Sequence, residues 1–269
     1  MKNEILIRLT NFCNESCDHC VFRSSPHYKE HFLVEKSKEI NKWLPNDDIN
    51  ICFTGGELTL IPHYTDLIYN ISQNKTQIGI ITNGVFIKNK KSLNKFIDLI
   101  NTLKNESITI RISQTQYHSK EEYGILAYQK LKTIFKNYKH IFIQQVGFLD
   151  LIAPLGRAYD NKIKIHQWNN STNNYGAMCR NEAQRKLIFI DENCLIHWCP
   201  FGNSPIENFQ QFIYEAIKHK IILWREEKLQ EGMTCLLCSK NGVGSSNNQF
   251  VSLNIMGCSP YCMSGGFNN

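Results

Sequence analysis

The stretch ILIRLTNFCNESCDHC, residues 5–20, decides how this chain begins to fold. Its first part, Ile5 to Leu9, is a short apolar run of the kind that predicts a β-strand. Three cysteines follow directly, Cys13, Cys17 and Cys20, with the spacing C-x3-C-x2-C. A short loop with this spacing brings three thiolates together, so the stretch predicts a strand followed by a metal-binding loop.

Strand-like and helix-like segments alternate from this stretch through about residue 150. The predicted strands are 5–9, 49–54, 77–82, 107–113 and 141–148, with amphipathic helices between them. Repeated strand–helix units of this length predict a parallel sheet with helices outside it, in an open or closed α/β barrel. Such folds carry their chemistry at the carboxyl ends of the strands.

Two further motifs follow predicted strands. Gly55-Gly56-Glu57 comes after the second strand, and Thr82-Asn83-Gly84 comes after the third. Glycines let the backbone approach a ligand closely, and a glutamate offers an anionic acceptor to an ammonium group. These motifs, like the cysteines, are therefore expected at one edge of the sheet.

The composition of the 269 residues is that of a globular protein, with 42% hydrophobic and 20% charged residues. No apolar run is long enough to predict a membrane span, and the N-terminus lacks the order of a signal peptide. The net charge of +6 is scattered over the chain, so no nucleic-acid partner is expected. The expected location is the cytoplasm.

Eleven cysteines are unusual for such a chain. In a reducing compartment, closely spaced cysteines favour metal binding over disulfides. Three thiolates can hold three irons of a 4Fe–4S cube and leave the fourth iron open to the amino and carboxylate groups of S-adenosylmethionine (SAM). The alternative is a zinc site, although zinc prefers four ligands in two pairs.

With these motifs the first 150 residues resemble the radical SAM superfamily. The resemblance implies a partial (β/α)6 TIM-like barrel, a 4Fe–4S cluster on Cys13, Cys17 and Cys20, and reductive cleavage of SAM to a 5′-deoxyadenosyl radical that abstracts hydrogen from a substrate. It also implies contacts with the cofactor from residues of several loops. These are His19, Gly55, Gly56, Glu57, Asn83, Ser113 (with Gln114 and Gln116 as neighbouring alternatives) and Arg157. Cys52, inside the second strand, is interpreted as a small core residue.

The remaining cysteines resemble the SPASM and twitch extensions of that superfamily. We therefore predict a radical SAM core at 1–165 and an auxiliary iron–sulfur domain at 166–269, which includes a β-hairpin from Leu187 to Trp198. Cys194 stands where the family usually has a glycine, and the last SPASM cysteine is missing.

Two assignments of the auxiliary ligands stay open, and structural zinc is the alternative to both. One cluster would use Cys179, Cys199, Cys235 and Cys238. Two clusters would use Cys179, Cys194, Cys199 and Cys262 for the first, and Cys235, Cys238 and Cys258 for the second.

SPASM relatives mostly modify peptides, so the leading hypothesis is maturation of a ribosomally made peptide by crosslinking, epimerisation or oxidation. The partners would be a precursor peptide and an external electron donor. Since few residues precede Ile5, leader recognition would come from the barrel rim, the C-terminal domain or a separate leader-binding protein. The alternatives are a radical SAM dehydrogenase or mutase of a small molecule such as an amino sugar, and a non-enzymatic metal-binding module.

Overall fold

The structure is a computed structural model that describes residues 3–44, 49–73, 75, 77–115, 117–118, 121–146, 157, 161 and 187–197. Several predictions lie outside these residues. They concern Gln116, the cysteines at 179, 199, 235, 238, 258 and 262, and the boundary near residue 165. They remain predictions.

The predicted alternation of strands and helices is confirmed. The elements in chain order are β1 (Asn3–Arg8), α1 (Val34–Trp43), β2 (Ile49–Thr54), α2 (Tyr64–Ser72), β3 (Gln77–Thr82), α3 (Lys90–Thr102), β4 (Ser107–Ser113), α4 (Glu121–Ile134), β5 (Ile141–Val146), β6 (Leu187–Ile190) and β7 (Ile196–His197). Single 3-10 turns at Leu58–Leu60 and Val85–Lys88 follow β2 and β3.

The seven strands form one sheet in the order β5-β4-β3-β2-β1-β6-β7. The pairs formed among β1 to β6 are all parallel. The pair of β6 with β7 is antiparallel. The predicted parallel α/β sheet and the predicted hairpin are therefore confirmed. In the described residues β6 is the sixth parallel strand. It pairs with β1, so β5 and β6 lie at opposite ends of the row of parallel strands.

The core lies between the sheet and the helices that connect its strands. On β4 the side chains alternate between buried and half-exposed, because only one face of the strand packs on apolar side chains. Fully buried residues of neighbouring strands, such as Ile7, Phe53 and Ile110, meet Leu67 of α2 and Phe96 of α3 in this core. Cys52 is 4% exposed, which confirms its interpretation as a core residue.

This architecture places the cysteines and the glycine motif together. The parallel register aligns Arg8, at the end of β1, with Thr54, at the end of β2. The segments that follow these two residues therefore leave the sheet at the same edge, and they carry Cys13 and Gly55-Gly56-Glu57 respectively.

Candidate functional site

The cysteine loop, defined here as residues 13–25, leaves this edge and folds back on the chain that follows β1. The backbone N–H of Cys13 donates to the carbonyl of Ser25 (3.2 Å), and the N–H of Cys20 donates to the carbonyl of Cys17 (3.0 Å). The N–H of Ser24 lies 3.3 Å from the Cys20 Sγ. All three predicted ligands are free thiols, so the loop carries three available sulfur donors.

Burial raises the pKa of two of these thiols. Desolvation, opposed by a backbone hydrogen bond at Glu15 and assisted by the nearby Glu57, Cys20 and Glu15, raises the pKa of Cys13 to about 12. Desolvation also raises the pKa of Cys17, whose Sγ lies 3.4 Å from a carboxylate oxygen of Glu15. Cys13 and Cys17 therefore carry their protons at neutral pH, and metal loading has to displace them.

The two glycines of the Gly-Gly-Glu motif pack against the chain that leads into the cysteine loop. The N–H of Gly56 donates to the Thr10 carbonyl and that of Glu57 to the Phe12 carbonyl, both at 2.8 Å. A Cβ on Gly56 would lie 2.1 Å from the Phe12 carbonyl oxygen, and one on Gly55 would lie 2.6 Å from that of Thr10. The glycines thus allow two backbone segments to touch beside Cys13, and their contact with a ligand stays a prediction.

Glu57 is fully buried and joins the ends of β2 and β3. One carboxylate oxygen accepts from the Thr59 N–H (3.1 Å), the Thr59 hydroxyl (2.6 Å) and the Thr82 hydroxyl (2.8 Å). The other accepts from the Asn83 N–H at 2.6 Å. Desolvation raises the pKa of this carboxyl against the hydrogen bonds, which lower it.

A Glu57→Gln substitution tests this network. Backbone N–H groups face both side-chain oxygens, and an amide can accept at only one of them, so one buried N–H loses its acceptor. We expect a loss of about 1–3 kcal/mol in the free energy of unfolding, measured by urea denaturation of the metal-free protein. The control Glu122→Gln, exposed on α4, should change it by no more than about 0.5 kcal/mol. Equal stabilities of the two variants would contradict the network.

Asn83 connects this network to the cysteine loop. Its side-chain nitrogen lies 3.0 Å from the side-chain oxygen of Asn14 and 3.9 Å from the Cys13 Sγ. The next residue, Gly84, has φ of +84°, a conformation that favours glycine. The predicted Thr-Asn-Gly turn thus brings an amide donor to a predicted metal ligand.

The end of β4 reaches the same edge of the sheet. Ser113 is the last residue of β4 and is half-exposed. Gln114 is buried, and its side-chain oxygen accepts from the Gln145 side chain at 2.6 Å. Of these neighbours Ser113 is the more accessible to a ligand.

His19 lies in an aromatic cluster that the sequence did not reveal. Its ring centroid is 5.1 Å from that of Tyr117 and 5.5 Å from that of His118. The Thr115 hydroxyl lies 2.9 Å from a ring nitrogen of His118 and 3.4 Å from one of His19. Desolvation, followed by His118, lowers the pKa of His19 to about 4. Because residues 19 and 115–118 meet only through the fold, no local pattern could have shown the cluster.

Arg157 lies beside the cysteine loop and bonds to its backbone. The guanidinium donates to the carbonyls of Cys17 (2.7 Å) and Ser24 (2.8 Å). We expected this arginine to contact a carboxylate of the cofactor, and in the described residues its partners are carbonyls.

The β6–β7 hairpin also contacts the cysteine loop. Arg8 Nε donates to a Glu192 carboxylate oxygen at 2.5 Å. The Arg8 guanidinium lies 5.4 Å from the ring centroid of Phe22 and 5.3 Å from that of Phe189, and these two rings stack at 5.7 Å. Arg8 of β1 therefore links the cysteine loop, through Phe22, to the hairpin region, through Phe189 and Glu192.

Cys194 lies in the turn of this hairpin with φ of +63°. This left-handed conformation favours glycine. The side chain packs partly buried against the hydrophobic core, and desolvation raises its pKa to about 12. Cys194 is therefore a strained, poorly hydrated thiol.

In the described residues no group of three or more His, Cys, Asp or Glu side chains is arranged to hold a metal ion. No helix among them has the length and apolar character needed to cross a membrane.

Comparisons with known proteins agree with the motifs. The profile of the Radical SAM superfamily matches residues 7–144. The chain is 34% identical over 118 residues to YydG, named for peptide biosynthesis, and 28% identical over 149 residues to AlbA, named for biosynthesis of the antilisterial bacteriocin subtilosin. It is 29% identical over 107 residues to SkfB, named for maturation of the sporulation killing factor; all three are from Bacillus subtilis (strain 168). The alignments cover 43%, 55% and 39% of this chain but only 36%, 30% and 25% of these relatives.

Solved structures show weaker likeness. BtrN in complex with AdoMet and 2-DOIA matches with a TM-score of 0.49 and 14% identity, over 85% of this chain and 87% of that one. Streptococcus suis SuiB bound to the precursor peptide SuiA matches with a TM-score of 0.42 and 13% identity, over 81% of this chain and 67% of that one. Likeness at this level carries no argument about substrate.

Proposed function

Because the chain belongs to the radical SAM superfamily, we propose that Cys13, Cys17 and Cys20 hold the 4Fe–4S cluster that the family uses to cleave SAM. The observation that carries the assignment is the single loop with three free thiols inside the matched residues. When bound, the cluster supplies an open iron and the electron for reductive cleavage of SAM. The donor set fits such a group in its chemistry, because one loop offers three thiols. Cluster assembly has to draw these sulfurs together, since the described residues form no group of three donors arranged for a metal ion.

We further propose that the neighbouring loops orient SAM. The Glu57 oxygen that accepts from Asn83 takes one hydrogen bond from the described residues, which leaves it acceptor capacity for the ammonium of SAM. Because this carboxylate is fully buried, SAM binding has to open the packing over it. Gly55 and Gly56 are half-exposed beside it. Ser113, at the end of β4, and His19, within the cysteine motif, are the further proposed contacts.

For the substrate we propose a ribosomally made peptide. The support is that three relatives are named for making or maturing peptides. The expected partners are a precursor peptide, an external electron donor and a separate leader-binding protein. The proposed reaction begins with hydrogen abstraction from the peptide and ends in a crosslink, an epimerised centre or an oxidised side chain.

Anaerobic reconstitution tests this function. Iron and sulfide are counted, SAM and dithionite are added, and 5′-deoxyadenosine is measured with and without any short peptide that a reading frame beside the gene encodes. A crosslink or oxidation should lower the peptide mass by two hydrogens, and epimerisation in D2O should add one deuterium. Turnover of an amino sugar with no change in any peptide would overturn the peptide assignment, and a zinc-loaded protein without SAM cleavage would overturn the enzyme assignment.

For the auxiliary site we propose the one-cluster assignment, with Cys179, Cys199, Cys235 and Cys238 as ligands and Cys194 outside the set. The packing of Cys194 against the hydrophobic core and beside Lys36 and Glu39 of α1 supports this choice. Cys258 and Cys262 would then be unligated, and either could donate hydrogen to a substrate radical.

Substitution of Cys194 separates the two assignments. Cys194→Gly and Cys194→Ala both remove the thiol, but only glycine relieves the positive φ. We expect the glycine variant to be more stable than the alanine variant by about 1 kcal/mol, and both to retain wild-type iron after reconstitution. Loss of iron from both variants, with the cluster on Cys13, Cys17 and Cys20 retained, would instead support the two-cluster assignment.

A further inference from the structure

Arg157 connects a distant part of the chain to the cysteine loop through three donors. Its guanidinium donates to the Cys17 and Ser24 carbonyls at 2.7 and 2.8 Å, and its backbone N–H donates to the Cys20 carbonyl at 2.9 Å. Asn161, whose N–H donates to the Arg157 carbonyl (2.8 Å), adds side-chain contacts of 3.2 Å to Asp18. The acceptors that Arg157 and the Asn161 side chain contact all lie within residues 17–24 of the cysteine loop.

Residues 17–24 of the cysteine loop contain turns but no helix or strand that would fix their conformation. Between Cys17 and Ser24 the backbone forms two tight turns, in which Cys20 donates to Cys17 and Arg23 donates to Cys20. Arg23 has φ of +54°, a conformation that costs a non-glycine residue energy. External bonds are therefore needed to hold the turns, and a planar guanidinium can donate to two carbonyls at once.

We propose that Arg157 is a positioning residue that holds the backbone of the cysteine loop in the conformation described here and keeps a fixed positive charge beside it. The second part rests on the proposed function. Reduction adds a negative charge to an iron–sulfur cluster, so a nearby cation stabilises the reduced state and raises the reduction potential. Arginine stays charged at every accessible pH, so this influence does not depend on pH.

The test compares the full chain with Arg157→Gln, Arg157→Lys and the charge control Lys132→Gln, which is exposed on α4. In metal-free protein we expect amide hydrogen exchange of residues 18–24 to be about tenfold faster in Arg157→Gln, because two charge-assisted hydrogen bonds are lost. In reconstituted protein we expect its midpoint potential to fall. A tenfold change in the reduction equilibrium corresponds to about 59 mV.

Arg157→Lys should keep a potential near that of the wild type and show intermediate exchange, because it retains the charge and loses the planar fork. Lys132→Gln should match the wild type in both measurements. Unchanged exchange and potential in Arg157→Gln, with only a weaker affinity for SAM, would overturn the proposal and assign Arg157 to the cofactor. If the wild type takes up no cluster, the proposed function fails, while faster exchange in metal-free Arg157→Gln still supports the loop role.

Discussion

Replacement of Cys17 by alanine is expected to reduce 5′-deoxyadenosine formation to the level of the buffer control. Cys17 is the middle ligand of the three proposed for the cluster, and its loss leaves two sulfurs on the loop. Anaerobic reconstitution with iron and sulfide, followed by SAM and dithionite, measures the effect.

Cys52→Ala is the matched control for this variant. Cys52 is likewise a thiol outside any disulfide, but it is buried inside β2. Its replacement should lower stability by about 1 kcal/mol and leave iron content and SAM cleavage near the wild-type values. Wild-type cleavage by Cys17→Ala would refute the proposed ligand set. An equal loss in both variants would show that the effect comes from folding.

Gly56→Ala should produce the second-largest loss, without removing any ligand. The new Cβ would lie 2.1 Å from the Phe12 carbonyl oxygen and 2.5 Å from its carbon. These are backbone atoms, so no side-chain rotation relieves the contact, and the chain beside Cys13 has to move. We expect iron retention and 5′-deoxyadenosine formation to fall at least about tenfold, since a shift of about 1 Å in a supporting segment is enough to impair a site.

Gly79→Ala provides the comparison for Gly56→Ala. Its Cβ would meet the Cys52 Sγ at 3.1 Å, with the nearest backbone atom at 3.7 Å. We expect a modest loss of stability in thermal unfolding and near-normal iron content. If Gly56→Ala loads iron and cleaves SAM as well as Gly79→Ala does, then the backbone contact at Phe12 does not control the loop.

The sheet was predictable because its signals are local. Continuous apolar runs define buried strands such as β2 and β3, and helical spacing of apolar residues defines α2 and α3. The position of β6 beside β1 was not predictable, because strand order depends on tertiary packing and residue 187 is far from residue 4 in sequence.

The part of the candidate site that was predictable consists of residues whose spacing in the sequence indicates their chemistry. The spacing of Cys13, Cys17 and Cys20 placed three thiols on one loop, and strand ends placed Gly56 and Glu57 next to it. The partners of these residues were not predictable. The carbonyl bonds of Arg157 and the ring contacts of His19 join residues more than ninety positions apart, and neither leaves a periodic or motif signal.

The pairing of β6 with β1, together with the stacked Phe22 and Phe189 rings, has a consequence for protein engineering. Cutting the gene near residue 165 would leave β1 with a bare edge and would remove one ring and one carboxylate from contacts with Arg8. An N-terminal fragment made alone would then expose an unsatisfied strand edge, a known route to aggregation. Chimeras that exchange C-terminal portions between related enzymes should therefore transplant Arg8 and Phe22 along with the incoming hairpin.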